Sequence, residues 1–380
     1  MKIKDENLLL IFAITLMAVM GVASISPALP LIQEKFDIST TQTGLLVTFF
    51  TLPGIFLTPV LGVLADRYGR KLILVPSLLL FGLAGFACAI APGFFWLLVF
   101  RLIQGIGGAA LGSLNVTLIG DLYPERRHQI MGYNATVLSV ATAIYPSIGG
   151  ALAGIDWQWV FYLPLLAVPV SIIVLLRLNN PEPKNRQKLK DYFTDTWKLI
   201  KTRQVLALMI LNIITFIILY GVMITYFPFF LKSKFGVTAL VIGFVMSGFS
   251  FSTAITSFQL GNLNRRIGSR NLLMMASVLY TIVLLIVPFI SSLLLMVIPV
   301  LLYGVAQGIN FPNIQARLAG LAPIENRAAF LSLNGMILRL GQTLGPVIMG
   351  VFYGWFGVES VFWAGAVMSV LLLPIVWYNL

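Results

Sequence analysis

The chain reads as an all-α membrane protein, twelve transmembrane helices in two pseudo-symmetric six-helix bundles, and three observations carry that reading. The first is apolarity. Hydrophobic residues make up 59% of the chain with glycine left out, charged residues only 10%, and the mean hydropathy is +0.95, far beyond the range of water-soluble domains. The second is segmentation: apolar runs long enough for a ~20-residue crossing recur at 8–32, 42–65, 71–91, 94–120, 129–153, 158–178, 205–231, 238–260, 271–291, 292–318, 328–354 and 358–379. The third is duplication. Gly62, Leu64, Ala65, Asp66, Arg67, Gly69, Arg70 and Lys71 are echoed by Gly261, Leu263, Asn264, Arg265, Arg266, Gly268, Ser269 and Arg270. The register continues through Arg127 and Arg327, Asn134 and Asn334, Pro146 and Pro346, Gly150 and Gly350, and Phe161 and Phe362, at offsets of 199 to 201. A parallel repeat of a six-helix unit is one way a membrane protein builds a site between two halves.

Each span has its own signature. Span 1 follows Lys2 and Lys4 and carries small residues near Ala23, which imitates a secretory signal. It is too long for such a signal and eleven similar spans follow, so it reads as an uncleaved helix. Spans 2 and 3 flank the basic loop 66–71. Span 4 holds an intramembrane arginine, Arg101, beside Gln104 and the glycines 105, 107 and 108. These could be mistaken for a dinucleotide-binding loop, but no strand precedes them, and they form a small-residue face for close helix packing. Span 5 ends in Tyr145, Pro146, Ser147, Ile148, Gly149 and Gly150, a run that lets a helix bend and slide on a partner. Span 6 opens on Trp157, Trp159 and Phe161, an interfacial aromatic belt.

The one long polar segment comes next, with Pro181, Pro183 and eight Lys or Arg from Arg177 to Arg203. It divides the chain into an N-terminal bundle (1–178), a linker (179–204) and a C-terminal bundle (205–380). Residues 191–201 carry a helical pattern of aromatic and apolar residues, which fits an amphipathic helix on the membrane surface and equally a loosely ordered linker. Spans 7 to 12 repeat the first six. Span 11 places Arg339 near its middle and Gly345, Pro346 and Gly350 near its end.

A net charge of +12 would suggest nucleic acid in a soluble protein, but its placement points elsewhere. Of the 25 Lys and Arg, Lys35, Lys232 and Lys234 fall in one set of loops, Arg101 and Arg339 lie inside spans, and the other 20 occupy the N-terminus and every second loop. The positive-inside rule then puts both termini and the linker in the cytoplasm, and the protein in the cell membrane. Cys88 is alone, so no disulfide forms within the chain. His128 is also alone, a solvated loop residue. No metal-ligand set and no clustered nucleophile, base and orienting group exist, so neither a metal, a cofactor nor an enzymatic activity is expected.

Polar residues concentrate in spans 4, 5, 7, 8, 10 and 11, while spans 3, 6 and 12 are nearly bare. Side chains that need hydrogen-bond partners avoid lipid, so spans 3, 6, 12 and, by symmetry, 9 are expected to be outer supports. Asn115, Tyr220, Gln307, Asn310, Asn334 and Arg339 are the candidate substrate contacts.

With these residues in view, the chain resembles the major facilitator superfamily over essentially its whole length, and most of all its twelve-span drug and metabolite exporters. Gly62 to Lys71 matches that family's signature between helices 2 and 3 at nearly every position. Arg101, Gln104, Gly105, Gly107, Gly108 and Ala109 resemble its span-4 signature, and Tyr145 to Gly150 resembles the span-5 signature of exporters, with Tyr145 where a glycine is usual. The resemblance implies a secondary transporter, a monomer in the lipid bilayer that exchanges a small-molecule substrate for protons by alternating access. An importer or facilitator of a metabolite, or a transporter-derived sensor that moves nothing, are the alternatives. It further implies that Arg101 influences the proton-carrying group; a structural role, capping carbonyls of a broken neighbour such as span 1, is the competing reading. Gly62, Asp66, Arg67, Gly69, Arg70 and Asp121 are expected to form a latch at the cytoplasmic side, with Arg70 bound to Asp121 or Glu125. A purely topogenic loop would explain the arginines but not the glycines or Asp66.

None of the 13 acidic residues falls at mid-membrane. A carboxylate that recognises cationic drugs, with a pKa raised by desolvation, is therefore missing. Arg339 lies on a polar span with nothing to neutralise it. An unpaired guanidinium there is costly unless an anion or water shares the space, which makes it either a contact for an anionic or zwitterionic substrate or a structural group.

Overall fold

A computed structural model of the chain describes residues 5–179, 202–321 and 327–380. The helical pattern proposed for 191–201 lies outside the described residues, as does the side chain of His128. Twelve helices are long and apolar enough to cross a membrane. They are α1 (Glu6–Phe36), α2 (Thr40–Tyr68), α3 (Arg70–Ala89), α4 (Phe94–Leu122), α5 (Arg127–Ala153), α6 (Trp157–Arg177), α7 (Arg203–Phe235), α8 (Ala239–Ile267), α9 (Ser269–Phe289), α10 (Leu293–Leu321), α11 (Arg327–Phe356) and α12 (Val358–Asn379).

The helices run past the apolar runs because their ends carry polar residues that the bilayer does not need. Glu34 and Lys35 close α1, Lys232 and Lys234 close α7, and Arg265 and Arg266 close α8. The start of α2 is fixed by a capping box, in which Ser39 and Gln42 exchange side-chain and backbone hydrogen bonds, satisfying two of the free N–H groups at the helix start. The duplicated loop repeats its geometry in both halves. Gly69 (φ 99°) and Gly268 (φ 86°) take backbone conformations that side chains resist, and each joins two membrane helices with a single-residue turn.

Four of these helices depart from α geometry: α6 opens on 3₁₀ turns (Trp157–Phe161 and Leu163–Leu166), α9 closes on one (Val287–Phe289), and α1 and α7 break within their length at equivalent places in the repeat. In α1 a 3₁₀ turn, Ser26–Ala28, follows Ser24 with Pro27 inside it. In α7 a π-helical segment runs from Ile218 to Tyr226. The two irregular stretches touch, since the Ser26 hydroxyl donates to the Ile224 carbonyl.

The α1–α6 helices pack on one another, as do α7–α12, and the two sets meet mainly through α2 against α11 and α5 against α8. The α3, α6, α9 and α12 helices pack against helices of their own half, which fits their expected place as outer supports. At the α5–α8 crossing a side chain on Gly150 would lie 2.3 Å from the Ala239 carbonyl, and one on Gly243 2.3 Å from that of Pro146. Only bare backbones allow that approach.

Candidate functional site

The hydrogen bonds between the halves define which end is shut. Thr40 donates to the Tyr353 hydroxyl (3.0 Å), Thr41 reaches the Gly350 carbonyl (3.4 Å) and Thr48 the Thr343 carbonyl (3.2 Å), and Thr51 and Thr343 share a hydroxyl pair (2.9 Å). Between α5 and α8 the Ser147 and Ser247 hydroxyls are 2.7 Å apart, and Ser247 also accepts from the Ser147 backbone N–H. Pro146 interrupts the backbone ladder here, so serine from the other half serves this local donor. Lys232 pairs with Glu34 at 2.5 Å. All of these lie between mid-membrane and the end opposite the basic loops. Among the described residues no hydrogen bond or ion pair joins the halves at the basic end.

The helix-bending residues sit inside the closure. A side chain on Gly149 would meet the Ser24 carbonyl, and one on Gly345 would meet Gly221 and Ile217 of α7. The Tyr226 hydroxyl donates to the Pro346 carbonyl (3.2 Å) and its ring stacks on Tyr353. Gly350 lies against that hydroxyl.

At the basic end Arg70 holds two carboxylates, Asp66 one turn before it and Asp121 at 3.0 Å. Of the two partners expected for Arg70, Asp121 is the one in place. All three groups are partly exposed and belong to the first half. Gly62 lies within α2, Gly69 forms the turn and Arg67 is exposed over the Tyr68 ring.

Arg101 is wholly buried and engaged on three sides. Its Nε donates to the Leu46 carbonyl (3.1 Å), and its Nη1 to the Gly21 carbonyl (2.9 Å) and to Gln104 (2.7 Å). The Phe50 ring covers the guanidinium at 4.4 Å. The Gly21 carbonyl is free because the 3₁₀ turn draws the Ile25 N–H to Val22 instead. The structural role weighed for Arg101, capping a carbonyl of the broken span 1, therefore has a partner in place, four residues before the break.

The polar candidates form two matching networks. In the first half Asn115 donates to Thr15 and to the Ile11 carbonyl, and Thr15 donates to Asn134. In the second Asn212 donates to Asn334 (2.9 Å) and Asn334 to Gln315 (2.7 Å). Asn310 donates to Thr215 (2.7 Å), and Gln307 accepts from the Tyr280 hydroxyl on α9. Asn115, Asn310, Asn334 and Gln307 are buried, and these bonds lie within their own halves. The α8 hydroxyls behave alike, with Ser252 and Thr253 bonded to α10 carbonyls.

Arg339 differs from all of these. It lies deep within the protein yet is partly accessible, which places it on an internal space. Among the described residues its one hydrogen bond goes to Gln342, a turn further along α11 (3.1 Å), and no carboxylate pairs with it. Its stem crosses to the other half, where a side chain on Gly54 would fall 2.9 Å from Arg339 Cδ. Tyr220 of the π segment is near enough for electrostatic interaction, and its ring stacks on Phe216, which meets Phe311 edge-on at 5.2 Å. The site is thus a cationic fork and a phenol at the junction of α2, α7 and α11, with an aromatic wall leading from it. Sequence reading found Arg339 and Tyr220 but missed Gly54, Phe216 and Phe311. The Pro53–Gly54 pair inside an apolar span was the available signal for the first; aromatic residues in so greasy a chain carry none.

The chain is similar to Multidrug resistance protein 1 of Bacillus subtilis (strain 168), 26% identical over 358 residues, which covers 93% of this chain and 91% of that one. It is 22% identical to the Multi-drug resistance efflux pump PmrA of Streptococcus pneumoniae, over 90% of this chain and 88% of the relative. Its fold matches the crystal structure of a bacterial homologue of the human lysosomal transporter Spinster, inward-facing and unoccupied, with a TM-score of 0.85 at 19% identity, over 99% of this chain and 97% of the other. The model of the Major Facilitator Superfamily matches residues 11–240 and again 220–380, two overlapping matches that together span both halves. Twelve helices in two bundles, a duplicated loop and a family match over both halves make this chain a membrane transporter of the Major Facilitator Superfamily.

Proposed function

We propose that this transporter exports small amphipathic compounds, anionic ones among them, in exchange for protons, by alternating access of a site between its halves. Arg339 carries the reading: a guanidinium without a carboxylate partner, partly accessible, beside the Tyr220 phenol and an aromatic wall. An anion there would supply the countercharge that the protein withholds. The positive-inside distribution orients the basic end and both termini to the cytoplasm. In that orientation the closed end faces outward and the site is approached from within, the side on which an exporter loads.

Rocking of the halves would break the Thr–Tyr, Thr–Thr and Ser–Ser bonds of the outer end and bring the Asp66–Arg70–Asp121 cluster toward the second half. Asp66 and Asp121, Glu34 and Asp37 at the outer mouth, or a proton carried by the substrate itself, are the routes for coupling. The relatives named for multidrug resistance and efflux support the outward direction.

The test is flux in proteoliposomes under an imposed pH gradient, comparing an anionic amphiphile bearing a catechol with a cationic dye. Gradient-driven movement of the anion, lost in Arg339→Ala, is the expected result. Movement of the dye alone overturns the anionic reading, uptake without a protective effect favours an importer, and binding without flux identifies a sensor.

A further inference from the structure

We infer that the basic end of α8 is a binding site for the headgroup of an anionic phospholipid, formed by Asn262, Arg265 and Arg266. The two copies of the duplicated loop differ in charge balance. In the first, Asp66 and Asp121 neutralise Arg70. In the second, the position of Asp66 is taken by Arg265, and among the described residues the basic end of that half has no acidic side chain. Three of its arginines are spent on local carbonyls and side chains: Arg203 on Asn379 and Tyr378, Arg270 on Trp377, and Arg317 on Ser269. Among the described residues Arg265 has only Asn262 as a hydrogen-bond partner and Arg266, which is exposed, has none. Together with Asn262 they border a shallow, open hollow at the surface. Two guanidinium forks and an amide are the donor set that a phosphodiester takes.

The face of the helix below this hollow says why the phosphate should belong to a lipid. The α8 helix uses Ser252, Thr253 and Ser257 against α10, and Gly243 and Ser247 against α5. Phe244, Phe251, Ile255 and Phe258 recur at helical spacing on the remaining side, all exposed, Phe258 at 92%. Asn262 and Arg265 continue that stripe by a further one and two turns. From Phe244 to Phe258 it runs about 21 Å, enough to line an acyl chain through one leaflet. Trp377 and Tyr378, both exposed at the end of α12, mark the same headgroup level. A soluble phosphate would use the forks but not the stripe.

The full-length protein released from detergent micelles in a native mass spectrometer, offered phosphatidylglycerol and phosphatidylcholine with identical chains, tests this. Phosphatidylglycerol should be retained in preference, and Arg265→Gln/Arg266→Gln should cut that preference roughly thirty-fold, as expected for two surface guanidinium groups. Arg126→Gln, which removes an exposed charge at the same end of the first half, should leave it in place. Retained phosphatidylcholine in the same spectra reports that each variant is folded. An unchanged preference in the double variant, an equal loss in Arg126→Gln, or displacement of phosphatidylglycerol by an equal concentration of glycerol phosphate would each overturn the assignment.

Discussion

Arg101 and Arg339 are the two guanidinium groups placed inside membrane spans, one in each half, and the fold treats them in opposite ways. Arg101 is enclosed, with two backbone carbonyls, a glutamine and an aromatic face around it, all from the first half. Arg339 keeps one hydrogen bond to its own helix, lies partly accessible and rests its stem on a glycine of the other half. Three of the five Arg101 N–H groups are met by its own half, with Nη2 lacking a hydrogen-bond partner among the described residues; a charge enclosed in this way braces a fold, whereas one with a single hydrogen bond at a junction of moving parts is available to a ligand.

The largest effect that could break this comparison belongs to Arg101. Arg101→Leu strands the Gly21 and Leu46 carbonyls and Gln104 in apolar surroundings, a loss of about 3 kcal/mol or more at ordinary costs for unpaired buried groups. Thermal unfolding of the detergent-purified variant should show a steep drop in midpoint or no folded protein. Arg339→Ala should unfold close to the parent while anion flux falls at least about tenfold, equivalent to ~1.4 kcal/mol. If both variants lose stability alike, Arg339 is structural and the contrast fails.

Gly54→Ala sharpens the contrast without touching either arginine. The added methyl would lie within 3.0 Å of the Arg339 stem, so the guanidinium must move, and anion flux should fall several-fold with little change in unfolding midpoint. Adding Gly54→Ala to Arg339→Ala should then cost almost nothing further, since a shared target makes effects non-additive.

Smaller effects are expected from the closure. Ser247→Ala removes the serine pair between α5 and α8, about 1 kcal/mol, and should shift the open-to-closed ratio of the outer end about fivefold, read as a longer distance between spin labels at Asp37 and Leu240. Lys232→Ala breaks an ion pair whose carboxylate partner is largely exposed. Such pairs contribute roughly 0–1 kcal/mol, so the same distance distribution should change less than about twofold. Asp66→Asn separates latch from loop: retained flux would leave the Asp66–Arg70–Asp121 cluster a topological signal only.

Much of the fold was legible in the chain because lipid imposes it. A run of apolar residues must be a helix where no water can satisfy the backbone, so all twelve spans stood out, with ends short only where polar residues such as Glu34, Lys232 or Arg265 extend a helix past the hydrocarbon. The candidate site was legible in part. Composition flagged Asn115, Gln307, Asn310 and Asn334 as costly groups in an apolar span, yet could not say what satisfies them. Three-dimensional pairing gives them partners on neighbouring helices of the same half, and Ser252 and Thr253 of the polar span 8 bind α10 carbonyls.

What the sequence by itself determined is therefore the class, the number of helices, the two-fold repeat and the identity of the odd charges, since each follows from transfer of residues from water to lipid and from periodicity along one chain. Only the tertiary structure decided which of two intramembrane arginines is enclosed by its own half, that α7 winds as a π-helix through Tyr220, and that Gly54 leaves room for Arg339. Those outcomes depend on distances between residues far apart in the chain, and a helix shows its neighbours nothing until they are packed against it.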